Sequence, residues 1–373
     1  MNIGIPRELV AEESCVALTP PGVRSLVSKG HTVFLESKAG EGSKFLDENY
    51  RTAGASIVYS HEEAFGRADL LLKVSPLVSK EYDLIHEGQT ILSFLHLPVA
   101  ARRDVEKLVE GRVTALGYEK IRNASGRHPV QDILSEIAGH MSVFMGAEFL
   151  KSHKGGRGIL LAGMPGVPPG IVVILGAGVV GRSAARAAAA LGALVVVLDD
   201  DVTKLQEINW LLPRQVSTAY SHGYAVEKAV SQANLLVGAI SLHGRRIPHI
   251  VSEEMVKGMK EGAVIVDVSI NEGGCVATSR PTTLRDPVYV KHGVIHFCVP
   301  NIPAAAGRGS TRALTNAALR YVEALAEMGT EKALQRIPEL AESVYIRKGD
   351  IIDANLALTR TVPHAPVPEG DAA

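Results

Sequence analysis

The sequence predicts an α/β protein of two domains, each a parallel sheet with helices on both faces. Three observations predict it. Strand-like and helix-like segments alternate from the first residue with short links. The alternation is interrupted once, by a glycine- and proline-rich stretch near the middle, and then resumes. The length, 373 residues, is that of two domains at roughly 100–200 residues each.

The first series opens with a short strand, Asn2–Ile5. A helix over Pro21–Lys29 follows, with Thr19 as its N-cap and prolines at its start. Strands are predicted at His31–Leu35, Leu70–Val74, Gln89–Phe94 and Val113–Ala115, with helices at Glu62–Arg67 and Ala100–Gly111 between them. From Ile133 to Lys151 small and apolar residues recur at spacings of three and four, which predicts a helix. The stretch Lys154–Gly170, with Gly155-Gly156 and Pro168-Pro169-Gly170, is an irregular connection. The second series has strands at Ile171–Leu175, Leu194–Leu198, Leu235–Gly238, Val264–Val268 and Gly293–Phe297. A long helix covers Ser310–Met328, and the Pro- and Ala-rich end from Val362 is expected to be disordered.

Composition excludes several classes. The chain is 46% hydrophobic and 21% charged, with a net charge of -1. No basic excess points to nucleic acid. The most apolar stretch, Gly170–Leu198, is broken by glycines and two arginines, so no membrane span is expected. The three cysteines, Cys15, Cys275 and Cys298, lack disulfide or zinc spacing. With no charged-then-apolar leader at the start, reduced thiols in the cytoplasm are expected. The thirteen histidines show no metal-ligand spacing; His153, His243 and His249 read as surface or loop residues.

The strongest motif is Ile-Val-Val-Ile-Leu-Gly-Ala-Gly-Val-Val-Gly-Arg at 171–182. A lone G-x-G-x-x-G is weak, but here an apolar strand precedes it, and an Ala-rich helix and a second strand follow. Gly176 permits the tight turn, Gly178 lets the backbone approach a pyrophosphate, and Gly181 lets helix and strand pack closely. Val179 and Val180 open the helix whose N-terminus would seat the pyrophosphate. Asp199, 18 residues after Gly181, is placed to accept from the adenosine ribose hydroxyls. A carboxylate there repels a 2′-phosphate, so the cofactor read from the motif is NAD rather than NADP.

The chain resembles alanine dehydrogenase and its relative, the nucleotide-binding subunit of proton-translocating transhydrogenase. The segments that carry the resemblance include Ile3-Gly4-Ile5-Pro6, Val16-Ala17-Leu18-Thr19-Pro20, Leu72-Lys73-Val74, Phe94-Leu95-His96-Leu97, Ser135-Glu136-Ile137-Ala138-Gly139, Gly155-Gly156-Arg157-Gly158, the glycine fingerprint and Ala313-Leu314-Thr315-Asn316. It implies two Rossmann-like domains with a substrate cleft between them. Residues 1–130 plus 305–373 would form a discontinuous catalytic domain, and 131–304 the NAD-binding domain. It also implies a small-molecule substrate and a homo-oligomer, a hexamer or a dimer. Ser135, Lys204, Ser221, Ile240, Ser241, Val268 and Asn301 would line the cofactor site beside the glycines and Asp199.

The same resemblance exposes departures in the substrate set. Alanine dehydrogenases hold the substrate carboxylate with an arginine where this chain has Cys15. Their second lysine in Lys-Val-Lys is here Ser75, and their aspartate beside the nicotinamide is here Asn271. Of that set His96 remains, placed to donate or take the proton as hydride is transferred. Losing a charged partner for a buried carboxylate costs on the order of 2–5 kcal/mol. Lys73 reads either as a compensating cation or as a structural lysine. Arg7 and Arg308 read as solvated or structural arginines ahead of anion ligands, and the two in Gly-Arg-Arg-Ile-Pro (244–248) read either as phosphate contacts or as solvated. Glu272 would need a turn to replace Asn271, because neighbours on a strand point oppositely. Cys15 reads as a small pocket-lining residue, since no partner in the sequence lowers its pKa.

Three functions are therefore expected, in this order. The first is an NAD-dependent oxidoreductase of an amino acid, imine or keto acid with an altered pocket. The second is alanine dehydrogenase itself, and the third is a non-catalytic NAD-binding sensor or partner subunit.

Overall fold

The computed structural model describes residues 1–241 and 247–361, the side chains of 359–361 excepted. The predicted disordered tail from Val362, as well as His243, Arg245 and Arg246, lie outside the described residues. Two compact units emerge: residues 1–10, 15–130 and 315–373 form one, and residues 11–14 and 131–314 the other. Residues 11–14 and 305–314 thus group with the second unit.

The first unit begins β1 (Asn2–Ile5), α1 (Pro20–Ser28), β2 (Thr32–Glu36), α2 (Asp47–Ala53), β3 (Ser56–Val58), α3 (His61–Gly66), β4 (Leu70–Leu72), β5 (Thr90–Ser93), α4 (Arg102–Glu110) and β6 (Thr114–Gly117). Thr19 caps α1 by accepting from the Gly22 N–H, with Pro20 at the first position, which serves an amide the helix leaves unpaired. The helix α5 (Pro129–Phe149) then starts at a proline, four residues before the predicted Ile133. In the second unit follow β7 (Ile171–Leu175), α6 (Val179–Ala190), β8 (Leu194–Asp199), α7 (Val202–Leu211), β9 (Val216–Tyr220), α8 (Gly223–Gln232), β10 (Leu235–Gly238), α9 (Glu253–Lys257), β11 (Val264–Asp267), β12 (Val288–Lys291) and β13 (Val294–Phe297). The helix α10 (Gly307–Met328) leads back to the first unit, which ends α11 (Thr330–Arg336), α12 (Pro338–Glu342), β14 (Val344–Arg347), β15 (Asp350–Ile351) and α13 (Ala354–Thr361).

The first sheet runs β15-β14-β6-β5-β4-β1-β2-β3 and the second β12-β13-β11-β10-β7-β8-β9. Six consecutive strands of each are parallel, with an antiparallel addition at one edge: β14 and β15 beyond β6, and β12 beyond β13. In both sheets the opening strand lies inside, with the next strand on one side and the fourth on the other. That is the doubly wound order, and it creates a crevice at the carboxyl ends of the strands where the winding reverses. Parallel strands buried on both faces must be continuously apolar, and β7 shows it. Val172 and Ile174 pack into one core layer with Ala184, Ala188 and Val143, while Val173 and Leu175 pack into the other with Val226, Val230 and Val256. Among the described residues no helix is long and apolar enough to cross a membrane.

Candidate cofactor and substrate sites

The cofactor candidates gather at the carboxyl ends of the second sheet. β7 runs into Gly176 at φ 103°, a left-handed conformation that favours glycine. A Cβ on Gly181 would stand 1.8 Å from the Gly176 carbonyl oxygen, so α6 can begin this close to the turn only with glycine there. Gly178 is different: a Cβ on it would meet nothing within 4 Å. It caps α6 with no side chain, and the first amides of the helix, on Val179, Val180 and Gly181, have no partner further up the helix. Open space above a helix N-terminus suits an anion, and the residues present fit a dinucleotide pyrophosphate.

Asp199 ends β8 and is nearly buried. One carboxylate oxygen accepts from the Ala177 N–H at 2.6 Å and the other from the Asp201 N–H at 2.8 Å. The acid predicted for the ribose therefore also braces the glycine turn. Lys204 lies 4.0 Å from it and half exposed. Ser221, just past β9, donates its N–H to the Asp199 carbonyl. Beyond β10, the Ile240 N–H donates to the Ser269 hydroxyl, which returns a bond to the Ile240 carbonyl, and the Ser241 hydroxyl donates to Glu272 at 2.8 Å. Ser135 sits one turn before Gly139 on α5, and a Cβ on Gly139 would lie 2.3 Å from the Val180 carbonyl oxygen. Backbone contact thus presses α5 onto the start of α6.

After β11 the predicted strand stops at Asp267, and Val268–Glu272 form a 3-10 turn. Strand alternation consequently does not govern Asn271 and Glu272. The turn is anchored by buried Asp267, whose carboxylate accepts from the Ser269, Cys275 and Val276 amides; burial raises its pKa against the bonds from Cys275 and Val276. The Asn271 amide donates to the Pro300 carbonyl at 2.8 Å, and the Asn301 amide to Glu13 at 2.5 Å. Glu13 belongs to the short segment 11–14 that groups with this unit.

The substrate-side candidates lie in the first unit. His96 has a left-handed backbone, φ 46°, and a half-exposed ring. Its N–H donates to the buried Glu119 carboxylate at 2.7 Å, while Nδ1 stands 3.8 Å from the same oxygen. Glu119 also accepts from the Tyr345 hydroxyl on β14. Cys15 and Ser75 are buried. Because β4 ends at Leu72, the predicted strand face shared by Lys73 and Ser75 is absent. The Lys73 ammonium is fully buried, 2.8 Å from Glu8 and 2.9 Å from Glu81. Burial opposes its charge, but the two carboxylates prevail and its pKa is raised. Lys73 is therefore a structural lysine, not one free to grip a substrate. Arg7 is half exposed beside Glu36. Glu8, Glu81 and Glu119 escape a reading of the sequence because they carry no motif and meet their partners only through the fold.

The second unit alone defines the class: a dinucleotide-binding α/β protein with its seat where the strand order reverses. Residues 4–140 match the N-terminal domain of the alanine dehydrogenase/PNT family, and residues 142–354 match its C-terminal domain. The chain belongs to the alanine dehydrogenase/PNT family. It is 40% identical to an alanine dehydrogenase from Mycobacterium tuberculosis (strain ATCC 25618 / H37Rv) over 97% of this chain and 98% of that one. A solved L-alanine dehydrogenase superposes with a TM-score of 0.92 at 42% identity, covering 97% of this chain and 99% of its own. A transhydrogenase from Sinorhizobium meliloti shares the fold, with a TM-score of 0.81 at 20% identity over 95% of this chain and 99% of its own.

Proposed function

We propose that the protein is an NAD-dependent L-amino-acid dehydrogenase that interconverts L-alanine with pyruvate and ammonia. One observation carries this reading: about 40% identity to proteins named alanine dehydrogenase across nearly the full length of both chains. It puts alanine dehydrogenase itself ahead of the altered-pocket enzyme that the sequence alone ranks first. Gly176, Gly178 and the α6 N-terminus would hold the pyrophosphate. Asp199 would hold the adenosine ribose and disfavour a 2′-phosphate. Ser221, Lys204, Ile240, Ser241, Val268, Ser135 and Asn301 would complete the seat. When bound, NAD supplies the hydride acceptor. His96 takes the proton in the oxidative direction and returns it in reverse, oriented by its backbone bond to Glu119.

A second reading, an oxidoreductase of a less anionic substrate, is favoured by a specific observation. Lys73, the nearest candidate to replace a missing lysine, is committed to Glu8 and Glu81. With Cys15 and Ser75 in the positions assigned to carboxylate recognition, neither supplies a charge-assisted bond.

The test is NADH oxidation with pyruvate and ammonium, beside a panel of 2-keto acids with amines. It compares wild type with His96→Ala and NADH with NADPH. Turnover of pyruvate that requires His96 and prefers NADH supports the first reading. Turnover confined to other substrates supports the second. NADH binding with no turnover anywhere overturns both in favour of a sensor.

A further inference from the structure

A chain of buried charges runs through the first unit beside the Lys73–Ser75 segment. Glu36 on β2 accepts from the Arg7 N–H at 2.8 Å and faces Nδ1 of His61 at 2.7 Å. Nε2 of His61 faces Glu81 at 2.9 Å. The same Glu81 oxygen meets Lys73, and its other oxygen accepts from the Val78 N–H at 2.7 Å. Glu8 completes the chain, accepting from Lys73 at 2.8 Å, from the Val74 N–H at 2.6 Å and from the Ser75 N–H at 3.3 Å. His61, at the start of α3, is 13% exposed, while Lys73 and Glu81 are fully covered.

Two arguments fix the state of His61. A neutral imidazole carries one N–H, so one nitrogen would turn a lone pair toward a carboxylate; only the imidazolium donates to both. Charge agrees: the carboxylates of Glu36 and Glu81 both face His61 at hydrogen-bonding distance, and Nε of the Arg7 guanidinium stands 3.9 Å from Glu36. Glu62 on the same helix and Lys80 are exposed, and Glu62 feels the charges of His61 and Lys80 through space.

We infer that His61 is a positioning residue, an imidazolium clasp that holds Glu81 and through it the Lys73–Ser75 backbone assigned to substrate recognition. This rests on the function proposed above. Burial works against the charge, but the hydrogen bonds that His61 donates to Glu36 and Glu81 outweigh it and raise the His61 pKa to about 9. The folded value exceeds the unfolded one of about 6.5. The clasp is therefore complete below pH 6.5, and its contribution fades as pH rises through about 9.

The experiment has two arms on the full-length protein. NMR of 13Cε1-labelled histidine, with His61→Gln assigning the signal, should show His61 protonated at pH 7.5 and titrating near 9, with Glu36→Gln shifting that titration down. Titration near 6.5 in the wild type overturns the inference whatever the enzyme turns over. In the kinetic arm, KM for the keto acid should rise about tenfold between pH 8 and 10 in wild type. In His61→Gln it should be raised already at pH 7.5, without the alkaline step, while NADH affinity stays unchanged. An alkaline step of equal size in both proteins overturns the positioning role. If His61→Gln does not fold, Glu36→Gln serves in both arms, its altered signal giving the assignment, and must move the alkaline step to lower pH.

Discussion

Replacing Gly178 by alanine separates the folding of the glycine turn from its use as a cofactor seat. Gly178 has φ −68° and ψ −166°, at the edge of the extended region open to alanine and with negative φ. Its added Cβ would meet no protein atom within 4 Å. The folded chain should thus be as stable as wild type, or more stable by ~0.4–1 kcal/mol through the unfolded state. The methyl group nevertheless enters the space a pyrophosphate must occupy. Pushing the phosphate off one backbone N–H forfeits a hydrogen bond to a charged group, ~1.5–3 kcal/mol. At about 1.4 kcal/mol per factor of ten, the NADH Kd should rise by roughly 10- to 150-fold. Gly181→Ala is the contrast: its Cβ would lie 1.8 Å from the Gly176 carbonyl oxygen, so the overpacking costs ~1–3 kcal/mol of stability as well as affinity. NADH fluorescence titrations and thermal melts without ligand measure both effects. A Gly178→Ala protein that binds NADH as tightly as wild type would refute the assignment of this turn to the cofactor.

Two further outcomes follow from buried groups in the second unit and at Cys15. Burial pushes the His296 pKa down to about 4, with Nδ1 at the Val294 carbonyl and Nε2 at the Thr278 hydroxyl. A depressed histidine favours folding above its unfolded pKa and loses that advantage as pH falls from about 6.5 to 4, ~3 kcal/mol in all; the Tm of His296→Gln should fall less than that of wild type between pH 7 and 4.5, and parallel curves would contradict this. Cys15, Cys275 and Cys298 are buried, and burial raises the thiol pKa of Cys275 and takes that of Cys298 to about 11. A disulfide reagent should accordingly modify the native chain slowly and all three thiols on denaturation, whereas a fast-reacting thiol in the native chain, lost in Cys15→Ser, would show that Cys15 is reactive.

The central strands were legible because burial on both faces leaves an unmistakable apolar run: Ile171–Leu175 and Leu235–Gly238 are found where the sequence places them. β9 was not, since its Val-Ser-Thr-Ala-Tyr lies at a sheet edge with half its residues toward solvent. The short pieces β3, α2 and α9 carry too few residues to establish a period. β14 and β15 are an antiparallel hairpin added to a parallel sheet after some two hundred intervening residues, and no local pattern announces that pairing. At the site, the glycine fingerprint is local and readable. The surroundings of Lys73 are not, because Glu8 and Glu81 reach it from different loops. The same holds for Asn271, whose 3-10 turn is set by the buried Asp267 and not by its own propensity.

The return of β14 to the first sheet also imposes an order on biosynthesis. β6 leaves the ribosome more than two hundred residues ahead of β14, so at ~5–20 residues per second its outer edge waits on the order of tens of seconds for a neighbour. An unpaired strand edge is a template for other chains. The second unit, by contrast, has its whole sheet by Phe297 and can close while the first is still incomplete. The nascent protein is thereby exposed to edge-to-edge association, and in need of chaperone cover, throughout the synthesis of its second domain.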